Sequence, residues 1–79
     1  MTAKEMFEKL GYHVNYESKT MLVYTQLIPD TNIQEVITFN GSQKKVYVGY
    51  RHTSICKGVD VSLLKAINQQ VKELGWVEK

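Results

Sequence analysis

Two tripeptides, Leu10-Gly11-Tyr12 and Leu74-Gly75-Trp76, constrain this chain more than any other feature. Each closes a run of helical period, and in each an aromatic residue follows the glycine. Glycine there takes the left-handed backbone that stops a helix, and the next side chain packs back on the last turn. Helix is therefore predicted up to each stop. Before Gly11, Ala3, Met6, Phe7 and Leu10 recur at i, i+3, i+4 and i+7 and share a face. Thr2 and Glu5 have the spacing of a capping box. Before Gly75, Asp60 is a suitable N-cap. Leu64, Ile67, Val71 and Leu74 form the expected buried stripe of this second helix, flanked by Leu63 and Ala66.

Between the helices the period drops to two. Tyr12, Val14 and Tyr16 alternate with His13, Asn15 and Glu17, the pattern of a strand with one wet face. After a turn at Ser18-Lys19, residues Met21 to Ile28 make a second strand. Leu22 and Tyr24 take one side, and Met21, Val23 and Thr25 the other. Pro29-Asp30-Thr31-Asn32 is a loop, since proline cannot donate to a ladder. Residues Ile33 to Phe39 form a third strand with Glu35, Ile37 and Phe39 on one face and Gln34, Val36 and Thr38 on the other. An inward Glu35 suits an edge strand that is guarded by charge. Asn40-Gly41 predicts a hairpin, because both residues tolerate positive φ. Residues Lys44 to Arg51 are the fourth strand, with Val46, Val48 and Tyr50 toward the core and Tyr47, Gly49 and Arg51 away from it. His52 to Lys57 could extend that strand or form a loop, and Gly58 marks a break.

The expected class is α+β. One domain over residues 1–79 has the order α-β-β-β-β-α, and short connections make the sheet a four-stranded antiparallel meander. Two amphipathic helices packed on one face cover its apolar side. The opposite face would carry Met21, Val23, Thr25, Val36, Thr38 and Tyr47, a mixture less polar than an ordinary wet face. A chain of this size retains only about 3–5 kcal/mol of stability, so its apolar stripes are needed for folding.

Chemistry is sparse. His13, His52 and Cys56 are too few and too scattered for a zinc site, which needs three or four ligands. Cys56 lacks a local activating group apart from Lys57, and Ser54 lacks a nucleophile elbow. No phosphate loop or dinucleotide fingerprint is present. An enzyme, a metal and a cofactor are therefore not expected. A single cysteine forms no internal disulfide, and no apolar run approaches the length of a signal peptide or a membrane span. The expected location is the cytoplasm, away from membranes.

Charge is the one uneven property. From Val36 to Val59 there is no Asp or Glu, while Lys44, Lys45, Arg51 and Lys57 are interleaved with Tyr47, Tyr50 and His52. Cations and rings together can contact phosphate and stack on bases. The net charge of +2 is small for a nucleic-acid binder.

The opening segment, Thr2 to Tyr12, and the closing one, Leu63 to Trp76, together with Ile37-Thr38-Phe39 and Lys45-Val46-Tyr47-Val48, resemble small uncharacterised proteins of phages and prophages of Gram-positive bacteria. The resemblance implies a cytoplasmic accessory protein of a mobile element and assigns a role to no residue. The expected function is protein–protein interaction through the semi-apolar sheet face with Tyr47 and Trp76 as anchors, or self-association through that face. The alternative is weak nucleic-acid binding through Lys44, Lys45, Arg51 and Lys57.

Overall fold

The computed structural model describes residues 1–51 and 58–76. Helix α1 spans Ala3–Lys9 and helix α2 spans Val61–Glu73. Between them lie β1 (His13–Glu17), β2 (Met21–Leu27), β3 (Gln34–Asn40) and β4 (Lys45–Tyr50). The four strands pair antiparallel in chain order, β1-β2-β3-β4. The readings of residues 52–57, Lys57 and Cys56 among them, lie outside the described residues.

Both helices are built by their caps. The Thr2 hydroxyl accepts the Glu5 N–H at 3.2 Å, and the Glu5 carboxylate accepts the Thr2 N–H at 2.8 Å. Asp60 accepts the Leu63 N–H at 2.8 Å. At the other ends Gly11 and Gly75 have φ of 95° and 76°. The Tyr12 N–H reaches the Phe7 carbonyl at 2.9 Å, and the Trp76 N–H reaches that of Val71 at 3.2 Å. These are two Schellman stops, as the twin tripeptides predict. The helices are also tied to each other, because Glu73 of α2 accepts the Ala3 N–H at 2.8 Å.

The core lies between the helices and one face of the sheet. Phe7 stacks on Tyr24 at 4.1 Å and meets Tyr12 and Phe39 edge-on at 6.0 Å each. Leu22, Ile37, Leu63, Ala66 and Ile67 fill in around these rings. Deep in this layer the Tyr24 hydroxyl donates to Gln70 Oε1 at 2.7 Å. That bond explains a departure from the expected α2 stripe. The buried residues are Leu63, Ala66, Ile67 and Gln70, whereas Leu64 and Leu74 are exposed. The helix is rotated so that Gln70 faces inward, where Tyr24 satisfies it.

Burial, and to a lesser degree the carboxylates of Glu73, Glu17 and Glu8, push the Tyr24 hydroxyl up to about 12. Unfolded tyrosines titrate near 10. Between those values the unfolded chain releases a proton that the folded chain keeps, so stability falls as pH rises from about 10 to about 12. Urea melts across the alkaline range should show that decline, reduced in Tyr24→Phe.

One turn differs from the expected one. The β3–β4 connection is not a two-residue Asn40-Gly41 turn. Asn40 still pairs with Lys45 as the last rung, residues 41–44 form the loop, and the positive φ falls at Lys44, at 53°. Asn40 Oδ1 accepts the Gln43 N–H at 3.2 Å. Gly41 is needed for a different reason: its N–H donates to the Thr20 carbonyl at 2.7 Å, and a Cβ would sit 3.1 Å from that oxygen. The third strand is also not an edge strand, since β3 lies between β2 and β4.

Strand β1 carries a bulge. Val14 pairs with Tyr24, but the next pair is Tyr16 with Val23, leaving Asn15 as the extra residue. Beyond it the alternation reverses. Tyr16 turns away from the helices and Glu17, opposite Leu22, turns toward them, contrary to the simple alternation of the sequence. A regular strand lacking Asn15 would restore the same pairing, because a bulge is one residue in excess of its partner strand. Deleting Asn15 should therefore leave a folded domain with Tyr16 still exposed to iodination. Burial of Tyr16 in that variant would contradict the register.

Candidate binding face

The register places one row of side chains across the outer face of the sheet. Tyr16 pairs with Val23, Val23 with Thr38, and Thr38 with Tyr47. Three inter-strand steps separate the two edges, so the tyrosines stand about 14 Å apart. Their exposures are 53% and 49%, whereas Val23 is 9% exposed. The Tyr47 hydroxyl donates to Gln43 Oε1 at 2.6 Å, which fixes one ring against the β3–β4 turn. The adjacent row holds His13, Thr25, Val36 and Gly49. There His13 Nε2 lies 3.3 Å from the Thr25 hydroxyl, and Thr25 has no exposed surface.

Strand alternation sets Lys45, Tyr47 and Gly49 on this face of β4. Arg51 continues the same side, its N–H donating to the Gln34 carbonyl at 2.9 Å. Lys44 sits in the turn beside Lys45. The seven carboxylates of the described residues all lie elsewhere: Glu5, Glu8, Asp60 and Glu73 on or at the helices, Asp30 in a loop, Glu17 and Glu35 on the helix side of the sheet. The outer face is therefore cationic as well as half apolar. Gln34, also on this face, has a buried Oε1 with no hydrogen-bond partner among the described residues.

Trp76 does not share the face with Tyr47. Its ring lies 6.2 Å from that of Phe39 and closes the end of the core on the helix side. The pair of anchors expected from the sequence is thus split between two faces, and the exposed ring that shares a row with Tyr47 is that of Tyr16. No sequence signal marks Tyr16, because the bulge that turns it outward is set by pairing with β2.

Three cavities lie on the helix side. A cleft of about 270 Å³ is lined by Leu22, Phe39, Leu74 and Trp76 with a rim that includes Ser18 and Lys19. Two smaller ones, of about 170 and 250 Å³, include Tyr12 with Glu35 and Tyr24 with Glu73 respectively. None of the three is lined by Tyr16, Val23, Thr38 or Tyr47. In the first of the smaller cavities the Tyr12 hydroxyl donates to Glu35 Oε2 at 2.8 Å. Burial, then the bond to Glu35, raises the Tyr12 hydroxyl far above its ordinary value.

Among the described residues no group of three His, Cys, Asp or Glu side chains is placed to hold a metal ion. No helix among them is long and apolar enough to cross a membrane. Comparison with protein-family models, curated proteins and solved structures finds no match for the chain.

Proposed function

We propose that this protein is a non-catalytic binding module that works through the outer face of its sheet. It would act in the cytoplasm as an accessory protein of a mobile element, as the likeness of its end segments to phage and prophage proteins suggests. The observation that carries the reading is the row from Tyr16 to Tyr47: half-exposed rings at both edges of a face that has no carboxylate among the described residues. Exposed tyrosines on a semi-apolar surface are the usual material of a macromolecular interface. The two phenols with shifted titration are both held protonated, which suits structure rather than acid–base chemistry. Docked protein and bound nucleic acid are the two ways in which such a face is used.

The test compares three baits in a bacterial lysate: the wild type, Tyr16→Ala/Tyr47→Ala, and a helix-surface control, Lys65→Ala/Lys72→Ala. Material held by the wild type and the control but lost from the tyrosine variant supports the reading. Material lost only from the helix control moves the working surface to the helices.

A further inference from the structure

We infer that the ligand of the outer face is a single-stranded nucleic acid; the inference rests on the binding-face reading above and names its partner. Four features of the face point to it. First, Tyr16 and Tyr47 lie on one row, about half exposed, so a strand laid across the sheet meets both rings in turn. Stacking on such rings is sequence-tolerant, since every base offers a π-face. Second, β4 alternates cation, ring, glycine and cation on this side: Lys45, Tyr47, Gly49, Arg51. The cations flank the Tyr47 ring along the strand, where the backbone of a stacked nucleotide would pass.

Third, the face has no carboxylate among the described residues, so nothing on it repels phosphate. The same fact argues against a second copy as the occupant. A two-fold dimer through this face would bring each Lys45 and Arg51 against a surface of the same sign. Fourth, none of the three cavities described above is lined by Tyr16 or Tyr47, whose half-exposed rings offer their faces directly to solvent. Protein anchors draw their energy from filling desolvated pockets. Bases need only exposed ring faces, with polar side chains such as Thr38, Asn40 and His13 beside them for their edges. A duplex is a poorer fit, because its bases are already stacked on each other and leave no free face for the two rings.

The experiment is fluorescence anisotropy of labelled oligo(dT) and oligo(U) with the purified full chain. With two to three phosphate contacts, affinity should fall roughly 5- to 20-fold between about 50 and 200 mM salt. Tyr16→Ala and Tyr47→Ala should each weaken binding about 5- to 150-fold, the range of one lost base stack. The phenylalanine variants should bind within a few-fold of the wild type. Lys45→Glu/Arg51→Glu should abolish both the binding and its salt slope. All of these sites are solvent-facing, and a thermal melt of each variant confirms that it is folded.

Three results would overturn the inference: no binding at low salt with millimolar protein, equal binding of a duplex of the same length, or binding untouched by both alanine variants. If the oligonucleotides fail while lysate capture still depends on Tyr16 and Tyr47, the face is a protein-docking surface and only the ligand class is wrong. If both fail, the binding-face reading falls as well.

Discussion

Phe7→Ala will leave the chain unfolded at 25 °C. Phe7 has no exposed surface, and its ring is the hub of the core: it stacks on Tyr24 at 4.1 Å and takes edge contacts from Tyr12 and Phe39. Removing a buried phenylalanine side chain costs about 3–5 kcal/mol through lost burial and the cavity left behind. A domain of this size has about that much stability in total. Near-UV circular dichroism and amide dispersion should both collapse. Phe7→Leu, closer in volume, should stay folded with a lower midpoint, and Tyr16→Ala on the surface should melt within about 0.5 kcal/mol of the wild type. A cooperative melt of Phe7→Ala near the wild-type midpoint would show that the aromatic cluster is not what holds the layers together.

The second large effect concerns one hydroxyl. Tyr24→Phe preserves the stack on Phe7 but strands Gln70 Oε1, which accepts from that hydroxyl at 2.7 Å inside the core. A buried acceptor left without its donor costs about 1–3 kcal/mol. Gln70→Leu alone should lose a similar amount, because it strands the phenol instead. The double variant Tyr24→Phe/Gln70→Leu removes both polar ends and should recover most of the loss. Chemical denaturation of the four proteins completes the cycle. Additive losses would mean that water, not Gln70, satisfies Tyr24.

That same bond marks where sequence reasoning failed. The expected stripe of α2 runs through Leu64, Ile67, Val71 and Leu74, and the observed one through Leu63, Ala66, Ile67 and Gln70 with Val71 packed beside it. Only a partner on another element tells them apart, and Gln70 reads as a surface residue until Tyr24 is placed beside it. What depends on neighbours in the chain was legible: the capping box at Thr2 and Glu5, the glycine stops, the face of each central strand. What depends on pairing was not. The bulge at Asn15 follows from the fit of β1 to β2, and β3 lies inside the sheet because β4 returns along it. The candidate face was read in part for that reason. Tyr47, Val36 and Thr38 follow from simple alternation, whereas Tyr16 needed the bulge. Trp76 is legible as the residue after a helix stop, but the direction of its ring depends on Phe39.

The bond from Ala3 to Glu73 joins residues 70 positions apart in a molecule whose strands otherwise pair only with their chain neighbours. Each hairpin can zip up locally, at small loop-closure entropy. Bringing α1 to α2 requires the whole meander to bend its ends together, and that step should limit the folding rate. Substitutions that loosen the helix–helix seam, Glu73→Ala among them, should slow refolding in stopped-flow experiments. Changes in the β2–β3 loop at Pro29 or Thr31, within a hairpin that is already paired when the helices meet, should likewise slow refolding and leave the unfolding rate little changed.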